Sequence, residues 1–126
     1  GAAARVQAAG PLEHRLRPPA LGIQARVRLP DFRPQHISNT VYALGLLAFC
    51  HRAFLRDVCA LAPARLPAFS PQHVSNTVYA LALLDFKDAG FLREVCAHVP
   101  ARLPEFSPQH VSNTVYGLGL LSYRHD

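Results

Sequence analysis

Three imidazoles, three amides and three phenols recur along this chain at one interval. His36, His73 and His110 are 37 residues apart, as are Asn39, Asn76 and Asn113, and Tyr42, Tyr79 and Tyr116. All belong to a phrase written three times: RPQHISNTVYALGLLAF over 33–49, SPQHVSNTVYALALLDF over 70–86 and SPQHVSNTVYGLGLLSY over 107–123. An imidazole can ligate a metal, but neighbouring helices pack about 10 Å apart, too far for successive imidazoles to share an ion easily. The simpler role is to satisfy a helix N-terminus, where free N–H groups and the helix dipole could also attract a phosphate. Asn offers a donor and an acceptor to a base edge, and Tyr offers a ring for stacking. These residues also have structural alternatives. Asn and Ser could bond to a neighbouring unit's backbone, and Tyr could pack at the seam between units.

Catalytic chemistry finds little support. The chain has no Gly-rich phosphate loop, no H-E-x-x-H, no G-x-S-x-G and no meaningful recurring pair of carboxylates. Its three cysteines, Cys50, Cys59 and Cys96, form no C-x-x-C and have no evident base partner. Cys59 and Cys96 occupy the same place in successive copies, on an apolar face, and read as small buried hydrophobes. The expectation is a non-enzyme, with neither metal nor cofactor.

The elements that must position these groups are legible in one unit. Ser70 is a natural N-cap, and Pro71 follows at N1, where its missing N–H costs nothing. A helix should then run to about Phe86, burying Val74, Val78, Leu81 and Leu84, with Thr77 beside them. FKDAG breaks the pattern, and Asp88 can cap a second helix whose apolar face holds Phe91, Leu92, Val95, Cys96 and Val99. Pro100 and Pro104 end or kink it. In the first copy Arg33 replaces Ser, which predicts a poorer cap.

Between 32–68 and 69–105, 25 of 37 positions are identical, which is the signature of units that bury their apolar faces only against their neighbours. The expected fold is all-α: a right-handed-type α-solenoid of tandem helix-turn-helix repeats with a 37-residue period. Residues 1–31 read as a degenerate partial repeat, with 17–31 as a worn second helix. The repeats are 32–68 and 69–105, and 106–126 is the first helix of a further one, open to a following unit or a partner. The chain lacks an initial Met and stops within the third copy, so it reads as a fragment of a longer protein.

Of the 126 residues half are apolar, and the net charge is +5, the thirteen basic residues being Arg except for Lys87. Such a balance suits a polyanionic partner, and Arg suits phosphate, although a GC-rich coding sequence would also enrich Arg and Ala. No apolar run reaches the length of a membrane span.

The phrase F-S-P-Q-H-V-S-N-T-V-Y-A-L-A-L-L resembles the octotricopeptide repeat, a family of helical-hairpin RNA-binding proteins of organelles, related to the FAST-kinase-like and RAP-domain proteins. Phe69, Pro71, Gln72, Asn76, Thr77, Ala80 and Leu81 match the family phrase directly, and the copies at 32–44 and 106–118 match it nearly as well. Tyr42, Tyr79 and Tyr116 stand where the family often has Trp, and the second helix lacks the usual Pro-Pro-Pro-Glu-Trp start. The resemblance implies binding of single-stranded RNA in a mitochondrion or chloroplast stroma by a nuclear-encoded protein that promotes maturation, stability or translation of transcripts. The alternative is a structural part of an organellar ribosome that contacts ribosomal RNA and neighbouring ribosomal or other organellar proteins.

On the helical wheel, Gln35, Ser38, Asn39 and Tyr42 share one face. So do Gln72, Ser75, Asn76 and Tyr79, and again Gln109, Ser112, Asn113 and Tyr116. These are the candidate RNA-binding residues. Arg65 and Arg102 join them, because they fall near the corner between units, where a phosphate backbone could be met. Arg56 and Arg93 are expected to face solvent.

Overall fold

The computed structural model describes residues 26–125, with side chains as far as Ser122. Over this span the regular elements are all helical. A 3-10 turn η1 (Leu29–Asp31) is followed by α1 (Pro34–Leu47), α2 (Arg52–Leu61), η2 (Ala62–Ala68), α3 (Pro71–Leu83), α4 (Ala89–His98), η3 (Pro100–Glu105) and α5 (Pro108–His125). The protein is all-α, as the periodicity predicts. Of the expected partial repeat, residues 26–28 are helical and lead into η1, and the rest lies outside the described residues.

The helix starts follow from the local sequence. The Ser70 hydroxyl accepts from the His73 N–H at 3.1 Å, and His73 Nδ1 accepts from the Ser70 N–H at 3.1 Å. Ser107 and His110 repeat the exchange at 3.1 and 3.3 Å. This is a capping box with histidine in the place usually held by Glu or Gln. Arg33 has no acceptor oxygen, so only half the box survives at α1, from the Arg33 N–H to His36 Nδ1 at 3.0 Å. The second helices are capped by Asp88, accepting from the Phe91 N–H at 2.8 Å, and by His51 at the equivalent position, accepting from Phe54 at 3.2 Å.

The ends of α1 and α3 also match. Ala48 and Asp85 turn left-handed, with φ of 55° and 52°. The following Phe49 and Phe86 N–H groups then bond back to Leu44 and Leu81 at 3.0 and 2.9 Å. This Schellman-type stop ends α3 at Leu83, earlier than the apolar pattern predicts, and returns Phe86 to the core. The prolines after α2 and α4 do not simply end the chain's winding. They tighten it into η2 and η3, and the Phe69 and Phe106 N–H groups close these on Leu66 and Leu103 at 2.9 and 3.0 Å.

α1 lies against α3, and α3 against α5, while α2 and α4 form a second row with η2 packed on both. Between the rows sits the core, which includes the predicted Val74, Thr77, Val78, Leu81 and Leu84 and, from α4, Phe91, Leu92, Val95 and Val99. Helices of the first row approach closely. A methyl group on Gly45 would come within 3.0 Å of Ala80 Cβ, and one on Gly117 within 2.9 Å of Val78 Cγ1. Across the second row, the Arg52 guanidinium lies 5.2 Å from the Phe86 ring centre.

One core assignment is corrected. Cys59 is buried, but Cys96 is exposed. The two hold the same place in their units, and among the described residues only Cys59 has a further second helix packed beyond it.

A left-handed Ala costs about 1–2 kcal/mol, part of which glycine gives back in unfolded-chain entropy. Ala48→Gly should therefore raise the unfolding free energy by about 1 kcal/mol, read as a higher midpoint in urea at unchanged slope.

Candidate nucleic-acid interface

The side of α1, α3 and α5 turned away from the core carries the candidate residues as three parallel stripes. Gln35, Gln72 and Gln109 are exposed, as is Asn39, while Asn76 and Asn113 are half-buried. None of these three Asn side chains hydrogen-bonds another group among the described residues, so their amides remain available. Tyr42 and Tyr79 are half-buried at the seams, and Tyr116 is exposed. The rings of Tyr79 and Tyr116 lie 6.3 Å apart, tilted by 36°. The phenols thus serve both readings: one edge packs between units while the other stays open.

Sequence reasoning missed the far end of each stripe. Leu46 and Leu83 continue the line of Gln, Asn and Tyr at i+11, and they are 65% and 42% exposed. Leu120 occupies the same position in α5. Helical spacing alone points to this face, but a leucine within a leucine-rich helix reads as core.

Two sets of candidates are taken up by the fold. Ser38 and Ser75 are each only 1% exposed, buried where one helix of the row meets the next, and cannot reach a base. Their position is rotated from the stripe towards the following helix, and a small side chain is what that contact admits. Ser75 Oγ donates to the Gln72 carbonyl at 3.3 Å, whereas Ser38 Oγ has no partner. Ser112 is exposed, having no further helix against it among the described residues.

Arg65 and Arg102 lie at the corner between units, with their guanidiniums engaged in the fold. Arg65 reaches back to the turn that opens its own unit and donates to the Pro30 and Phe32 carbonyls at 2.7 and 2.9 Å. Arg102 does the same one unit later, to Phe69 at 2.7 Å and Leu66 at 3.3 Å, and it also meets His98 Nε2 at 2.9 Å and Glu105 at 3.4 Å. These guanidiniums satisfy carbonyls left over by the 3-10 turns, and that use competes with phosphate binding. Arg56 and Arg93 face solvent on α2 and α4.

Neither α1 nor α3 contains a charged residue. Exposed cations lie at the start of α1, where Arg28 lines a cleft of about 420 Å³ with Asp31, Phe32, His36, Asn39 and Thr40, and Arg33 is also exposed. No three metal-ligating side chains gather among the described residues. Each repeated histidine already has Nδ1 engaged and its ring edge-on to Phe32, Phe69 or Phe106. Burial pushes the Cys59 thiol up to about 12, which keeps it protonated and unreactive. No helix among the described residues is long and apolar enough to cross a membrane. No family model, curated protein or solved structure matches the chain.

Two outcomes follow from the engaged polar groups. His73 Nδ1 accepts a hydrogen bond, so the ring must be neutral there, and burial lowers its pKa from the ordinary 6.5. A lowered histidine pKa contributes stability that is fully present above the unfolded value and is lost as pH falls through the folded one. Unfolding free energy measured from pH 7.5 down to 5 should therefore decline, and His73→Gln, which keeps a neutral acceptor at N3, should flatten that decline. Arg102→Ala should cost about 2 kcal/mol in urea unfolding, the scale of hydrogen bonds to a charged group.

Proposed function

We propose that this chain is a non-catalytic α-solenoid of 37-residue helical hairpins that binds single-stranded organellar RNA and acts in maturation, stability or translation of transcripts, in the matrix of a mitochondrion or the stroma of a chloroplast. The observation that carries the reading is the stripe of Gln, Asn, Tyr and Leu, repeated three times on adjacent helices, with its amides unengaged. An amide can read a base edge, and a phenol or leucine can cover a base face; neither needs charge. The resemblance of the repeated phrase to the octotricopeptide repeat supports the same reading and supplies the organelle.

Because the units are nearly identical, they read similar nucleotides, and the preferred target is a low-complexity stretch. Because Arg65 and Arg102 are occupied by carbonyls, few phosphates are neutralised, and the stripe contributes selectivity more than charge-driven affinity.

One observation favours the second reading, a structural part of an organellar ribosome. Exposed Leu46 and Leu83 beside tyrosines on an uncharged face also suit a protein surface or folded ribosomal RNA.

The test compares the parent with a variant carrying Asn39→Ala, Asn76→Ala and Asn113→Ala, using homopolymeric and random single strands across a salt series, with circular dichroism to follow folding. The expected result is a folded variant that loses selectivity among homopolymers by tenfold or more. Both proteins should keep the same shallow salt dependence, with a log–log slope of about −0.7 per phosphate neutralised. A parent that binds no single strand overturns the transcript reading in favour of the ribosomal one.

A further inference from the structure

Arg65 and Arg102 hold the same place in successive units, and each ties its own 3-10 turn to the turn before it, but with different hydrogen bonds. Arg65 uses one nitrogen for each of two carbonyls, Nη1 for Phe32 at 2.9 Å and Nη2 for Pro30 at 2.7 Å. Arg102 puts the whole clamp on Nη1, which meets the Phe69 carbonyl at 2.7 Å, the Leu66 carbonyl at 3.3 Å and His98 Nε2 at 2.9 Å. Its Nη2 is turned to Glu105 Oε1 at 3.4 Å, on a side chain that is 58% exposed. The histidine has no counterpart one unit earlier, where Leu61 stands at the position of His98.

A guanidinium donates and has no lone pair to offer. His98 Nε2 is therefore the acceptor, and the ring is neutral with its proton on Nδ1. Nη1 has two hydrogens for three acceptors, so it can spare one of them. A proton on Nε2 does more than remove an acceptor: it sets two cations 2.9 Å apart. His98 is half-buried and the Arg102 side chain is 18% exposed, so water screens that repulsion only in part. The other charged or titratable groups around the end of α4 have their own places. On η2, Arg65 is held by carbonyls. On α2, Asp57 pairs with Arg26 at 2.7 Å, Arg52 lies over Phe86, Arg56 faces solvent and Cys59 stays a thiol. On α4 itself, Arg93 and Glu94 are exposed, and His73 and His110 of the first row have Nδ1 engaged at their own N-caps. Glu105, the one acid on η3, already meets Arg102.

We propose that His98 makes the clamp between η2 and η3 pH-sensitive: neutral, it holds Arg102 beside the Leu66 and Phe69 carbonyls, and protonated, it drives the guanidinium away towards Glu105 and solvent. Histidine is the side chain that changes charge between pH 5 and 8. The charged ring is itself accommodated, because His98 ends α4, where the helix dipole favours a cation. The clamp between η1 and η2, with Leu61 in place of the histidine, keeps its hold across that range. The second helices are joined through η2, so releasing Arg102 loosens the second row while the first row keeps its close contacts.

Urea unfolding of the 126-residue chain at pH 8 and pH 5.5 tests this through the cost of Arg102→Ala. That cost is taken against the parent at the same pH, so that the other histidines cancel. It should fall by about half or more at pH 5.5. In a His98→Leu background, which copies the preceding unit, the cost should be equal at the two pH values. The cost of Arg65→Ala in the parent should be equal at both as well. NMR of the folded parent needs no variant: the imidazole nitrogen shifts should place the His98 proton on Nδ1 at pH 8, and the Arg102 side-chain N–H signals should move as His98 titrates. An Arg102→Ala cost that is the same at both pH values overturns the proposal. So does a cost that changes equally with Leu at position 98, or a His98 proton found on Nε2 at pH 8.

Discussion

The structure depends on how closely consecutive first helices can approach. Where α1 meets α3, Gly45 faces Ala80 so tightly that a single added methyl group would come to 3.0 Å; where α3 meets α5, Gly117 faces Val78 in the same way. Serine and threonine line these contacts because they are small, and because their hydroxyls can turn onto their own helix. Thr77 and Thr114 each donate to the carbonyl four residues back, at 2.7 Å. The second helices have no comparable contact with each other and are joined through η2. The unengaged amides lie on the side of this tightly packed first row that is turned away from the second row.

The polar repeat thus divides into groups already used by the fold and groups left over. Histidine closes the helix N-terminus, serine fills the seam, threonine back-bonds, and arginine gathers the carbonyls of the 3-10 turn. Each of these recurs because the architecture recurs. Glutamine and asparagine recur without a structural partner, and tyrosine is shared between the seam and the open side. Identity across units carries functional weight only for what remains after the structural uses are subtracted, and here the remainder is a stripe of neutral groups.

Much of this was legible in the residues. Pro71 and Ser70 mark a helix start, Asp88 marks the next, and Val74, Val78, Leu81 and Leu84 trace the buried side, because capping and helical periodicity act over a few residues. The candidate face was only partly legible. Gln, Asn and Tyr lie on it, but Ser38 and Ser75 were placed there by a wheel that shows angle and not neighbours. Arg65 and Arg102 were placed at a corner whose free carbonyls arise only when the chain adopts the 3-10 turn. The line Leu46–Leu83–Leu120 escaped notice because exposure of a leucine depends on what stands opposite it.

By itself, then, the sequence determined the local structure and the unit: where helices begin, which side is apolar, and that the pattern returns every 37 residues. Those properties follow from hydrogen bonds and side-chain spacing within a few turns of one helix. Tertiary structure alone decided which polar groups are spent and which are free, and it separated Cys59 from Cys96, two cysteines in the same local setting. The reason is that burial and hydrogen-bond partnership belong to pairs of elements: Arg102 finds its carbonyls more than thirty residues away, and Cys96 is exposed because no following unit lies against it among the described residues.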